Sequence, residues 1–174
     1  MSTTESATGR LSDLELAAWR GMLLTYASVS QKLDAQMRAE HGLSLSAYEV
    51  LMLLADESEQ RMRMSDIAEC VLPSRSGCTR LVDRLVEQGY VARCAAATDA
   101  RGLYAQLTDA GLAKINAARA THHDGIRQFF LGHLTTTDQI VLGDIWTRFS
   151  GHSESEGGRD AGDRFAPADP AGRC

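Results

Sequence analysis

Between residues 75 and 84 the chain sets out Arg75, Ser76, Thr79, Arg80 and Arg84. Guanidinium and hydroxyl groups of this kind donate hydrogen bonds to base edges and phosphate oxygens. Other chemistry is poorly supplied. His122-His123-Asp124 and His133 are metal-ligand types, but adjacent histidines point to different sides of a helix and His133 lies ten residues on. Surface histidines near a helix end are the better reading. No Ser–His–Asp order, nucleophile elbow or phosphate loop occurs, so an enzyme, a metal and a cofactor are not expected.

The donors need a helix to position them. Pro73 stops the preceding segment, and Ser74 can cap a helix that begins at Arg75. Cys78, Leu81, Val82, Leu85 and Val86 fall at the 3/4 spacing of one buried face, and Gly89 is the expected stop. The opposite face is ordered along its length. Arg75, Ser76, Thr79 and Arg80 lead; Asp83 and Glu87 trail. A helix that enters a major groove by its N-terminus wants donors at the base edges and acids away from phosphate. An ordinary amphipathic surface helix is the alternative for this stretch alone.

The next residues favour the groove. Val91 to Cys94 is followed by a small, polar tip, Ala95 to Arg101, and then by Gly102 and an alternating run to Leu107. Leu103, Ala105 and Leu107 alternate with Tyr104 and Gln106, the period of a half-buried strand. Helix, hairpin and charged tip make a winged helix-turn-helix.

At this point the sequence resembles the MarR family of bacterial transcriptional regulators. The resemblance rests on SRSGCTRLVDRLVEQGYVAR and TDARGLYAQLTDAG, with the D-x-R-G of a wing and the L-T-x-x-G that opens the next helix, and it extends from Leu11 to Phe149. It implies a recognition helix in the major groove and a wing arginine at the minor groove or its backbone. Matched residue by residue, these roles fall on Ser74, Arg75, Ser76, Thr79 and Arg80, and on Arg101, which Asp99 would brace. Arg84, on the flank of the same face, is counted with the DNA contacts.

Composition limits the partners. The net charge of −5 argues against indiscriminate nucleic-acid binding. Seven arginines against five acids between Arg61 and Arg101 give that stretch a surplus of two, so the remainder carries −7. The positive charge is local, which suits a site-specific contact with double-stranded DNA. The apolar content of 44% supports a packed core, and no run approaches the ~20 residues of a membrane span. The N-terminus lacks the layout of a signal peptide, which predicts a cytoplasmic protein.

Taken in order, residues 1–10 are unpatterned and expected to be disordered, and residues 11–150 form the winged helix-turn-helix domain. A capping box at Ser12 and Glu15 opens a helix over about 12–40. It has apolar residues on two faces, more than one small domain can cover. Ser46 with Glu49 reads as a second capping box, with Leu45 and Val50 as its staple, opening a core helix at Ala47. Met62 to Met64 reads as a short strand. Ser65 is placed to cap a helix that ends at Leu72-Pro73. Thr108 opens a helix to about Leu131, and Thr135 with Asp138 caps a last one. The expected fold is therefore mainly α with a small β-hairpin wing. The reader spans about 45–107, and dimerisation helices at about 12–40 and 108–150 flank it, so a homodimer is expected. Residues 151–174, with five of the 15 glycines and two of the three prolines, are expected to be a disordered tail.

Regulation has three readings. Family members commonly bind small, often phenolic or aromatic, anions, so the resemblance implies a small-molecule effector. Trp19, Leu23, Tyr26 and Tyr48 would line its pocket, with ordinary dimer-core packing as the alternative. Some members respond to oxidants through a cysteine; Cys70, Cys78 and Cys94 are read first as small buried hydrophobes, and Cys174 as incidental. A winged-helix protein-interaction module without DNA binding is the third. The reading adopted is a homodimeric regulator, a repressor on a near-palindromic operator, released by a small ligand.

Overall fold

The computed structural model describes residues 9–71, 75–95 and 103–150, without the side chains of residues 75, 76, 95 and 150. Of the termini expected to be disordered, 1–10 and 151–174, all but residues 9 and 10 lie outside the described residues.

Helix α1 (Asp13–His41) starts in the expected capping box: Ser12 Oγ accepts from the Glu15 N–H, and the Glu15 carboxylate accepts from the Ser12 N–H at 2.7 Å. It ends at Gly42. Only Leu33 and Met37 are buried along its length. Its C-terminal half packs against α2 (Leu45–Asp56) and α5 (Asp109–Phe129), while Leu14, Trp19, Leu24 and Tyr26 remain exposed toward the N-terminus.

The start of α2 corrects the sequence reading. Ser44, not Ser46, is the cap, accepting from the Ala47 N–H at 3.1 Å. Asp34 of α1 accepts the Leu45 N–H at 2.9 Å. This tertiary acceptor lets the helix begin two residues early, so Leu45 and Val50 do not hold the staple positions. Val50, Leu51 and Leu54 have no exposure, and α2 is central core as expected.

Strand β1 (Arg61–Arg63) runs directly into α3 (Met64–Cys70). Ser65 is therefore inside the first turn rather than at the cap. Arg63 holds the cap position without a side-chain capping hydrogen bond, and Ser65 Oγ donates to Asp66. The helix also ends earlier than expected, at an extended, buried Val71.

Helix α4 (Arg75–Glu87) precedes β2 (Val91–Ala95) and β3 (Leu103–Leu107). The three strands form an antiparallel sheet in the order β1-β3-β2, so the expected third strand pairs with the wing. Met62, Ala105, Val91 and Leu107 turn inward onto the core. After α5 the chain makes a 3-10 turn at Leu131–His133, then α6 (Thr136–Ser150), opened by the reciprocal Thr135–Asp138 box. Ile140, Val141 and Phe149 of α6 are exposed.

Candidate nucleic-acid interface

Helix α4 divides as its sequence requires. Cys78, Val82 and Leu85 are buried to within 1% exposure, and Leu81 and Val86 pack at their margin. Thr79, Arg80, Arg84 and Glu87 are exposed on the other side. Arg75 and Ser76 occupy the first turn by backbone position. Ser74, Asp99 and Arg101 lie outside the described residues. The described part of the surface is thus the middle and end of a donor-bearing helix face.

Two devices hold that face. The first is a clasp behind the helix. Gly89 takes φ +75°, a left-handed conformation that only glycine adopts without cost, and turns the chain from α4 toward β2. Thr108 Oγ1 donates to the Gly89 carbonyl at 2.7 Å and accepts from the Gly111 N–H at 3.1 Å; its own N–H donates to the Tyr90 carbonyl. One threonine thereby caps α5 and ties it to the exit of α4.

The second device is an ion pair. Arg93 of β2 sets a guanidinium nitrogen 2.7 Å from Asp83 Oδ1 of α4, with both side chains partly exposed. It joins the wing strand to the reading helix and occupies an acid that would otherwise repel phosphate. Sequence reasoning gave Arg93 no role beyond its charge. The trailing position of Asp83 was the available clue, because an acid on a DNA-facing helix needs a partner.

The proposed effector residues do not share one environment within the chain. Trp19, Leu23 and Tyr26 are about half exposed on α1, whereas Tyr48 is fully buried. Tyr48 instead meets His122 of α5, ring centroids 4.5 Å apart. Tyr48 Oη, His122 Nδ1 and Gln36 Oε1 are buried without a hydrogen-bond partner among the described residues. Desolvation, and secondarily the neighbouring His123, push the His122 pKa down to about 4. This corrects the reading of His122 as a surface histidine: one side of α5 faces α2, and its ring packs there against Tyr48. Among the described residues no group of three or more His, Cys, Asp or Glu could hold a metal. Burial pushes the Cys78 thiol pKa up, which disfavours the reactive thiolate. No described helix is long and apolar enough to cross a membrane.

Comparison with known proteins agrees with this geometry. The family model described as "MarR family" matches residues 41–102, which run from the end of α1 to the wing. The HTH-type transcriptional repressor YetL of Bacillus subtilis is 26% identical over 135 residues, covering 74% of this chain and 81% of the relative. Sco3205, a MarR family transcriptional regulator from Streptomyces coelicolor solved in complex with DNA, is 29% identical with a TM-score of 0.75, covering 83% of this chain and 90% of that one. AbsC, a MarR family regulator from the same organism, has the same identity and TM-score, covering 86% and 100%.

Proposed function

From the premise that this chain belongs to the MarR family of winged helix-turn-helix transcriptional regulators, which are not enzymes, we propose that it is a homodimeric repressor of a near-palindromic operator, released by a small aromatic ligand. The exposed donor face of α4, fastened to the wing strand and to α5, carries the reading. Thr79, Arg80 and Arg84 meet the DNA from the described face, with Ser74, Arg75, Ser76 and Arg101 completing the contact and Asp99 assigned to support Arg101.

Dimerisation follows from apolar surface. Leu14, Trp19, Leu24 and Tyr26 on α1, with Ile140 and Phe149 on α6, stay exposed in one chain. Exposed apolar surface on two long helices marks an association face. A two-fold dimer presents two reading helices, so its operator repeats as an inverted pair. Repression is supported by the repressor among its relatives.

Effector release is supported by the unpaired polar atoms of Gln36, Tyr48 and His122, where α1, α2 and α5 meet. A ligand seated there touches both the long helices and the reader's core. It weakens DNA binding only by its differential affinity for the two states.

Selection from a random duplex pool, followed by sedimentation of the protein alone and with the recovered duplex, tests the reading. A dimer that enriches an inverted repeat is expected. A monomer that binds the duplex, or a pool with no enriched sequence, would refute it. Phenolic and aromatic acids should then release the duplex at the concentrations at which calorimetry shows them bound to the protein; binding without release would remove the ligand from the mechanism.

A further inference from the structure

The sheet face turned away from the core carries a second basic feature. Arg63, Tyr104 and Cys94 lie on one rung, and Arg61, Gln106 and Ala92 on the next. Arg63 Nε donates to Tyr104 Oη at 2.8 Å, and its guanidinium carbon is 5.3 Å from the ring centroid. The guanidinium of Arg61 stands 5.7 Å from the same centroid, and Arg61 also pairs with Glu59. A phenol ring thus gathers two exposed arginines, by hydrogen bond and by the attraction of a cation to its π face.

Their place in the fold gives them a use. Arg63 is the last residue of β1 and the cap residue of α3, the first helix of the helix-turn-helix. Its rung is also near the ends of β2 and β3 from which the hairpin tip departs. Arg63 therefore sits between the wing root and the helix-turn-helix, the two parts laid against DNA under the proposed function. A guanidinium oriented in advance by an aromatic ring loses less freedom on binding, and its planar fork suits a phosphate.

We infer that Arg63, held by Tyr104, is a further DNA contact, made to the phosphate backbone at the root of the wing, with Arg61 adding charge behind it. This inference rests on the DNA-binding reading above. Arg63 stands on strand β1 and not on the reading helix, so it meets the phosphate backbone and not the base edges. The contact is independent of sequence.

Salt dependence tests it, because each phosphate neutralised releases counterions. The parent, Arg63→Gln, Arg63→Lys, Tyr104→Phe and Arg80→Ala would be titrated with the selected duplex and with a shuffled duplex of equal length, over a salt series. Arg63→Gln should weaken both duplexes alike and lower the slope of log affinity against log salt by about one per protomer. Arg63→Lys keeps the charge and should keep the slope. Tyr104→Phe should give a smaller loss on both duplexes, since the ring remains. Parent-like affinity and slope for Arg63→Gln overturn the inference, as does weaker binding at the parent's slope, which is the mark of a structural role. Loss of selectivity in Arg80→Ala beside a parent-like Arg63→Gln sinks this contact and leaves the proposed function standing. A parent that binds neither duplex overturns both.

Discussion

Gly111 stands so close to Tyr90 that a Cβ on it would come within 2.2 Å of the Tyr90 carbonyl oxygen and 2.7 Å of Leu107 Cδ1. The first obstacle is backbone, so it cannot swing aside. This explains the glycine of L-T-x-x-G physically. Thr108 can reach both Gly89 and the first turn of α5 only if that turn lies against the strand that follows α4.

Gly111→Ala should therefore destabilise the protein by about 1–3 kcal/mol, the usual cost of forcing extra volume into a packed site. A lowered melting temperature reads this out. Thr108→Val, which keeps the shape but loses the cap, should cost about 1 kcal/mol. An alanine variant that melts with the parent would show that α5 can move away from Tyr90.

Local patterns made much of this fold legible. The Ser12–Glu15 and Thr135–Asp138 boxes and the Gly89 stop are short-range, and each occurs as read; the strand at Leu103–Leu107 forms too, but Leu103, read as inward, is exposed. The failures have tertiary causes. Ser46 lost the cap of α2 because Asp34, on another helix, supplied an acceptor to Leu45. Ser65 lost its cap because β1 enters α3 without an intervening turn. In the site, the apolar stripe of α4 implied its exposed face. The Arg93–Asp83 pair joins a helix to a strand ten residues away, and no periodicity announces it.

That pair should matter more to DNA binding than to stability. Both side chains are partly exposed, and exposed pairs contribute ~1 kcal/mol or less. Asp83→Asn and Arg93→Gln should each shift the melt slightly. DNA affinity should fall further, because the wing strand is no longer tied to the reading helix and Asp83, where retained, faces phosphate unpaired. Asp83→Asn combined with Arg93→Gln should cost less than the sum of the two single losses in a double-mutant cycle. Additive losses across the cycle would mean that the ion pair does not couple helix to wing.

His122 should make the fold sensitive to acid. Its folded pKa, about 4, lies below the ordinary 6.5, so the native state holds fewer protons than the unfolded chain between these values. Its part of the stability is intact above pH 6.5 and is lost as pH falls through 4. Burial raises the pKa of Glu49 and Asp56, which pulls stability the opposite way. Comparison with His122→Phe isolates the histidine while keeping a ring against Tyr48. The variant should lose less stability than the parent between pH 6.5 and 4. Parallel stability curves would mean that His122 is hydrated enough to protonate in place.

The sharpest prediction concerns Arg80, exposed on the face of α4 opposite Cys78 and Val82. An arginine there can bond a guanine edge in two places, and such a contact discriminates between bases. Arg80→Ala should cost about 1–3 kcal/mol per half-site and relax preference at one or two base pairs. Arg84, one turn further from the leading end, should act more weakly and evenly across sequences. Arg101→Ala, at the wing, should weaken selected and unrelated A·T-rich duplexes alike and flatten the salt dependence. The comparison assigns base reading to the helix and backbone holding to the wing. If Arg80→Ala keeps the parent's preference at every position and loses only overall affinity, α4 does not read bases through Arg80. Specificity would then have to come from Arg75, Ser76 and Thr79 nearer its leading end.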